Sequence, residues 1–597
     1  MRYDIVLVLY NSTGWLPGCI AALAGAQYNT SQLNIVLVDN ASTDDTLKVA
    51  EELGQKYPVF GGYTIYQNKK NKGFGAACNF GAAQGSAPYL FFLNVDTEVE
   101  PDVFTELDKG ILQNPGAGGF ECRQLPYELG HHINPVTLET PWASGAAFVL
   151  PRAVFKKVGG FDPHIFMYCE DVDLSWRVWA TGRPLLYLPH AVVNHYVLKR
   201  ESSGTSELRE YAGTQLGKLL LAYKYGSFGQ VLKANKLYLQ VLKNPQHFAN
   251  VRKVLAKNYL KHFVKLWPFW FWRWGNRQLF KNAPAVLNQP QFAPERGREI
   301  LEKRIENGPK ISVVVRTCSR PQVLRQTLLS LTHQTYNNFE VIVVEDGPDT
   351  SSAMIEQEFA GLGVRYFASG THVGRGKNGN RGLAEAAGEY LNFLDDDDYF
   401  YPDHLELMAQ KAMQNPEADL ILGCAMVMKV DVTSKKPYTY TTKELYPMRF
   451  DRVDIFTMCQ LCQIPIQSAM FKKSLYQQRG GLQEGIEGNE DWAMWLSFLA
   501  VAKRINPKHI DIHRATSIFL LPASAQEEQQ RNEKYAIYNE AFYADPSIKF
   551  TVSLQDMRGY FDDMIADMRH LQNTGEMTRY LQEQANRAKE DTRSKKQ

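Results

Sequence analysis

The feature that most limits what this chain can fold into is a strand-like run that ends in acid and occurs twice. Tyr390-Leu-Asn-Phe-Leu394 is followed by four aspartates, Asp395, Asp396, Asp397 and Asp398. Near-continuous apolar runs of this length belong to central strands covered on both faces. Four carboxylates at such an end repel one another unless something cationic sits among them, and a divalent metal carrying phosphates is the usual solution. An earlier copy, Tyr89-Leu-Phe-Phe-Leu-Asn-Val-Asp96, has the same strand and a weaker acidic end. Two copies of one such device predict two active sites.

The surroundings repeat as well. Apolar strands are expected over Ile5–Leu9, before Tyr10-Asn11, and over Asn34–Val38, ending at Asp39. Ser42 or Thr43 is expected to cap the next helix, and Asn71-Lys-Gly73 opens a glycine-spaced helix before the strand ending at Asp96. Downstream, strands over Ile311–Val315 and Phe339–Val344 lead to Glu345-Asp346-Gly347, and Gly374, Asn378, Asn380 and Gly382 precede the tetra-aspartate strand. Ile5 to Asp39 is 34 residues and Ile311 to Asp346 is 35. Each unit then shows Phe-Lys-Lys, a Gly-Gly pair, and Glu170-Asp171 or Glu490-Asp491 ahead of Trp-rich helical sequence. Strands alternating with helices imply an α/β unit with a mostly parallel sheet and ligands beyond the strands' carboxyl ends. The repeated order implies a tandem duplication.

At 597 residues the chain exceeds a single core. The expected division is 1–205, a helical connector 206–308, 309–525, and a helical tail 526–597 with a disordered end. Asp4 interrupts the first apolar run, which argues for a strand and against a signal peptide, and no run of about 18 uncharged apolar residues predicts a spanning helix. Eight scattered cysteines suit reduced thiols, and Cys459-Gln-Leu-Cys462 lacks a second pair at zinc spacing. The net charge of +2 hides a split: residues 211–294 hold thirteen Lys or Arg and no Asp or Glu, which leaves 53 basic against 64 acidic residues elsewhere. A basic face meeting something anionic follows. Within it, Phe263 to Trp274 mixes Trp and Phe with Lys and Arg, as in segments that lie on a membrane surface; the alternative is an aromatic wedge between domains. No DNA- or RNA-binding motif is present. In the tail, Met557, Phe561, Met564, Ile565, Met568 and Leu571 recur at helical spacing, for docking on the second unit or for self-association.

At these residues the chain resembles family 2 glycosyltransferases of the GT-A fold, the first copy being most similar to bacterial rhamnosyltransferase-type members. The motifs are Tyr10-Asn11, Val38-Asp39-Asn40-Ala-Ser42, Asn71-Lys-Gly73, Asn94-Val-Asp96 and Glu170-Asp-Val-Asp173, then Arg316-Thr317-Cys-Ser-Arg320-Pro321, Glu345-Asp346-Gly347, Asp395–Asp398 and Asn489-Glu-Asp491-Trp492. The resemblance implies nucleotide-sugar donors, a Mn²⁺ or Mg²⁺ ion, and inverting transfer onto a glycan or glycolipid of a bacterial surface polysaccharide such as O-antigen or capsule. It places the protein in the cytoplasm at the inner face of the cell membrane. It makes Asp171 and Asp491 the bases, with Glu170 and Glu490 orienting the acceptor. Metal would fall to Asp395, Asp397 and Asp398, less strongly to Asp96 because Asn94 replaces an acid, and to His195 and His513. Tyr10, Asn11, Asp39, Asn71, Gly73, Asn94, Thr317, Arg320, Asp346, Asn380 and Asp396 would hold the donors, with Arg316, Arg375 and Lys377 near diphosphate oxygens. The alternative is that only the second copy is catalytic and the first binds glycan or nucleotide.

Overall fold

The computed structural model describes residues 2–196, 204–245, 250–263, 266–276, 296–448, 453, 455–486, 488–499 and 511–545, with scattered positions between 554 and 569. Its first sheet contains β1 (Tyr3–Leu9), β2 (Leu33–Asp39), β3 (Gly62–Gln67), β4 (Tyr89–Leu93), β5 (Thr97–Val99), β6 (Gly119–Leu125), β7 (Ala147–Pro151) and β8 (Leu185–His195). The order is β3-β2-β1-β4-β7-β6-β8-β5. The second sheet contains β9 (Ile311–Thr317), β10 (Phe339–Glu345), β11 (Arg365–Ala368), β12 (Tyr390–Asp395), β13 (Tyr399–Phe400), β14 (Leu420–Lys435), β15 (Tyr438–Met448), β16 (Ala469–Lys472) and β17 (Asp511–Pro522). Its order, β11-β10-β9-β12-β16-β14-β17-β13, repeats the first strand for strand, with β15 added beside β14. The β1, β2, β3 and β4 ladders and the β6–β8 pair are parallel, as are their counterparts. The α/β expectation and the duplication are both met.

The central strands read as apolar runs because both faces are covered. Ile5, Leu7, Phe91 and Leu93 pack in one cluster with the helices Leu16–Ala24 and Val103–Gln113. Val6, Leu90 and Phe92 pack in another with the helix Phe74–Ala82. That helix comes so close that a Cβ on Gly81 would stand 2.6 Å from Val6, and one on Gly382 2.3 Å from Val314 in the second copy. The acid in the first strand is paired rather than stray: buried Asp4 binds the Arg152 guanidinium and the Asn34 amide. One expectation fails locally. The helix after β2 begins at Thr46, too far along for Ser42 or Thr43 to cap it, and Asp44 accepts from the Thr46 N–H (3.2 Å) instead.

Between the sheets lie helices Gly204–Tyr225, Phe228–Lys243, Val251–Phe263 and Leu266–Gly275. They are anchored on the first copy, where Lys224 bonds Asp162 (2.7 Å) and Asp173 (2.6 Å) under the Trp272 ring. Residues 277–294 of the basic segment lie outside the described residues. Among the described residues, no helix is long and apolar enough to cross a membrane. The helix Ala525–Ala544 docks on the second copy, with Phe542 stacked 4.5 Å from Trp492. Met557, Phe561 and Ile565 are exposed; Met564, Met568 and Leu571 lie outside the described residues.

The two copies meet across a buried ionic seam. From the first copy come Arg123 and Glu128, from the segment before β9 comes Arg296, and from the second copy come Asp403, Glu406 and Arg514. Arg123 binds Glu406 (2.7 Å), Arg514 binds Glu128 (2.7 Å) and Asp403 (2.9 Å), and Arg296 binds Asp403 (2.5 Å) over the Tyr401 ring. Three cations face three anions, so the seam is neutral, and the arginines hold the Asp403 carboxyl far below its usual range although burial alone would raise it.

Candidate active sites

Strand register sets the two copies against each other residue by residue. Tyr3 lies opposite Tyr89, and Ile311 opposite Tyr390. Val8 therefore matches Arg316, Tyr10 matches Cys318, Asn94 matches Asp395, and Asp96 matches Asp397. Leu9 faces Asp39 and Thr317 faces Glu345. The counterpart of Asp39 is thus Glu345, and Asp346 corresponds to Asn40, which corrects the pairing of Asp39 with Asp346. The roles agree with the register. Asp39 accepts from the Ser42 N–H (3.2 Å), and Glu345 from the Ser319 N–H (3.1 Å) and the Thr350 hydroxyl. Asn40 and Asp346 accept from the loop ahead of the glycine-led helix, at Lys72 N–H (3.0 Å) and Val373 N–H (2.7 Å).

In the second copy two arginines pair with three of the four acids at the end of β12. Arg316 forks onto Asp395 (2.7 and 2.9 Å) and reaches Glu490 with its other nitrogen (2.9 Å). Arg320 binds Asp396 and Asp397, the latter at 3.0 Å, and the Thr317 hydroxyl donates to Asp396 (2.6 Å). Burial would raise Asp395, but Arg316 holds it below the usual carboxylate range. Asp396 is pushed up to about 7, mainly by burial, against the pull of Arg320. Asp398 faces inward, accepts from the Leu520 N–H (2.9 Å), and is raised by burial and its acidic neighbours. Asp491 lies in the first turn of the helix Glu490–Leu499, and burial followed by the Glu490 charge pushes it up to about 7. Arg316 thus joins the strand-end acids to the Glu-Asp pair, a bridge between residues 174 positions apart in the chain.

In the first copy Val8 stands where Arg316 does, and the electrostatics change accordingly. Glu170 is buried with its Oε2 unpartnered, and burial followed by the Asp171 charge pushes it up to about 8. Asp171 is also raised, chiefly by burial, while its Oδ2 accepts from the Gly145 N–H (3.0 Å). Asp96 and His195 come together: His195 Nδ1 bonds Gln124 Oε1 (2.8 Å), and its Nε2 lies 3.6 Å from Asp96 Oδ1. That Nε2 is buried without a hydrogen-bond partner, which suits a nitrogen reserved for a cation.

The remaining expected residues divide. Tyr10 is half exposed just past the end of β1. Asn11 is held by the loop after β2, accepting from the Thr43 N–H (2.8 Å), and Asn71 Oδ1 accepts from Gly73 N–H (2.9 Å) and from Asn40 (3.0 Å). Gly73 needs its glycine: φ is +88°, and a Cβ would meet the Phe166 carbonyl at 2.3 Å. Asn94 continues β4, its N–H donating to the Ala146 carbonyl (2.9 Å). Arg375 and Lys377 are exposed on the helix Arg375–Glu385.

The Asn380 amide bonds the Leu482 backbone (2.9 and 2.8 Å) and Glu484 (2.9 Å), as that of Asn79 bonds Phe161. His513 is exposed near the start of β17, where its N–H meets Glu299. Thr97 faces His195 and Tyr399 faces Ile518, so the residue matching His195 is Phe519. Six residues of strand, about 20 Å, separate His513 from that position, too far for the acid cluster. Sequence reasoning passed over Tyr535. It lies on the docked tail helix, and its hydroxyl is raised by burial and by the charges of Asp491 and Glu490.

The family model described as Glycosyl transferase family 2 matches residues 4–174 and 312–479. An uncharacterized glycosyltransferase of Rickettsia bellii is 22% identical over 522 residues, 83% of this chain and 66% of that protein, so the chain spans just under two thirds of its length. The N-acetylglucosaminyl-diphospho-decaprenol L-rhamnosyltransferase of Mycobacterium tuberculosis is 29% identical over 246 residues, 34% of this chain and 77% of that one. A mannosyltransferase structure from Pyrobaculum calidifontis, solved with GDP-Man and Mn²⁺, aligns at 17% identity and a TM-score of 0.33, covering 48% of this chain and 87% of that one.

Proposed function

The chain belongs to glycosyl transferase family 2, and from that premise we propose that it is a bifunctional inverting glycosyltransferase, each domain moving one sugar from a nucleoside-diphosphate donor onto a growing, lipid-linked bacterial surface glycan. The observation that carries this reading is the recurrence, at matching positions, of a strand-end acid and a buried Glu-Asp pair opening a helix. A raised carboxylate is a competent base near neutral pH. In each domain the acceptor hydroxyl gives its proton to the Asp171 or Asp491 carboxylate. Its oxygen attacks the anomeric carbon as the bond to the diphosphate breaks, and the configuration inverts. Asp171 is positioned by the Gly145 N–H, and Glu490 is held by Arg316.

A divalent ion would be held by Asp96 and His195 in the first domain, where the unpartnered Nε2 fits it, and by Asp397 with Asp395 in the second. When bound, it offsets the charge of the departing diphosphate. In the second domain Arg316 and Arg320 sit on the same strand-end acids, where they would share the charge balance with the ion. The sites differ at Val8 and Arg316, as two acceptor chemistries alternating along one glycan would require.

Membrane attachment is supported by the helix Leu266–Gly275. It buries Phe269 and presents Trp267, Trp270, Phe271 and Trp274, each about half to two-thirds exposed, beside exposed Arg252, Lys253 and Lys257. Each basic residue adds about 1 kcal/mol at an anionic leaflet. The deciding experiment assays Asp171→Asn and Asp491→Asn with one labelled donor at a time, reading products by mass spectrometry. Each variant is expected to lose incorporation from a different donor. Wild-type products from Asp171→Asn would make the first domain a binding module.

A further inference from the structure

Cys318, Asp346 and His372 converge where β9, β10 and the loop after β11 end, with their ligating atoms all within 4.8 Å of one another. Cys318 Sγ lies 3.8 Å from His372 Nδ1, which lies 3.9 Å from Asp346 Oδ2. Tetrahedral zinc with bonds of 2.0–2.3 Å separates such donors by about 3.3–3.6 Å, so a small inward movement closes the set. Cys318 and His372 are exposed and free to make it. The sequence leaves room for the imidazole: a Cβ on Gly347 would come within 3.2 Å of it.

The duplication supplies an internal control. The matching positions in the first copy are Tyr10, Asn40 and Asn71, and there Asn40 Nδ2 donates directly to Asn71 Oδ1 at 3.0 Å. In the second copy all three carry metal-ligand side chains, and the direct bond is replaced by separations of 3.8 and 3.9 Å. A thiol, an imidazole and a carboxylate form a borderline-soft donor set that suits Zn²⁺ over Mg²⁺.

We propose that Cys318, Asp346 and His372 bind one Zn²⁺ ion, with a fourth position open to solvent, and that the bound ion closes the nucleotide end of the second donor cleft. The thiol proton is released to solvent on binding, so affinity rises with pH. The closure rests on the reading of Asp346 as a donor contact; the binding does not.

The test uses the full chain and Co²⁺ as the spectroscopic probe, with Zn²⁺ as competitor. One thiolate-bound Co²⁺ per chain is expected, with a thiolate charge-transfer band and tetrahedral d–d bands that Zn²⁺ removes, while the oxygen-rich sites at the two strand ends give no such band. Cys318→Ser should abolish the thiolate band, and His372→Gln should weaken binding about 100-fold, the upper end of what even an outer-shell partner costs. Cys318 is exposed where the other described cysteines are buried or half-buried, and Zn²⁺ should shield it from a thiol reagent. A Co²⁺ spectrum without a thiolate band, or one unchanged in Cys318→Ser, overturns the site. In transfer assays, Zn²⁺ should raise the donor KM of the second domain in wild type and not in Cys318→Ser; equal inhibition of both overturns the closure. Co²⁺ binding with no transfer by either domain would instead count against the glycosyltransferase reading and leave the metal site standing.

Discussion

Replacing Glu170 by Gln tests how the first site stores charge. In the folded chain this carboxyl is pushed from an ordinary 4.5 up to about 8, first by burial and then by Asp171. The folded protein therefore holds a proton that the unfolded chain releases, so stability is complete below about pH 4.5 and falls as pH rises through about 8. At full ionisation that elevation corresponds to at most about 5 kcal/mol, because Asp171 shares the burden. At about 2–4 °C per kcal/mol for a domain of this size, the wild-type melting point should drop by at most roughly 10–20 °C between acidic and alkaline buffer on this account alone. Gln keeps the volume and cannot ionise. Differential scanning calorimetry near pH 5 and near pH 9 should find the variant similar to wild type in acid and several degrees more stable in alkali. Hydrogen exchange over residues 170–179 would place the gain in that helix. Parallel melting curves for the two proteins across the range would refute the buried, cation-free account of Glu170.

Transfer by the second domain should rise with pH through an inflection near the Asp491 value of about 7, and Glu490→Gln, by removing the like charge, should move it to lower pH; a fixed inflection in a pH–rate profile contradicts this. Arg316→Met strands Asp395 and Glu490 without their cation, which should cost about 3–5 kcal/mol and abolish second-domain transfer while the first continues. A wild-type melting profile with both transfers intact would refute it. Arg514→Met removes two ion pairs from the seam and should cost a similar 3–5 kcal/mol, read as separate melting of the two domains where wild type melts together.

Much of the fold was legible because both faces of each central strand are covered, so Tyr89–Leu93 and Tyr390–Leu394 announce themselves as apolar runs. The acids at their ends, and the Glu-Asp pairs, were visible as local motifs. Position between copies was harder. Counting from Ile5 and Ile311 matched Asp39 to Asp346 only because those first residues sit at different registers: Ile311 corresponds to Tyr3. A connection two residues shorter in the second copy then hid the offset. His513 failed for a related reason, since β17 is 12 residues long and resemblance in sequence could not say which end meets the acids. The Arg316–Glu490 bridge and the seam depend on contacts over hundreds of residues, which no local pattern encodes. Tyr535 was invisible because its helix is polar by composition and meets the cleft only through the fold.

The neutral seam of Arg123, Glu128, Arg296, Asp403, Glu406 and Arg514 fixes more than stability. Its paired charges tolerate little sliding, so the two acid-tipped strand ends are held at a set angle and spacing, like stations bolted to one bench. Under the proposed function, a saccharide extended by both would do the travelling itself, its reducing end tethered while its tip swings from one station to the other. The span between them is then a ruler for the repeat, and lengthening the link at Arg296 would alter product length without touching either pocket.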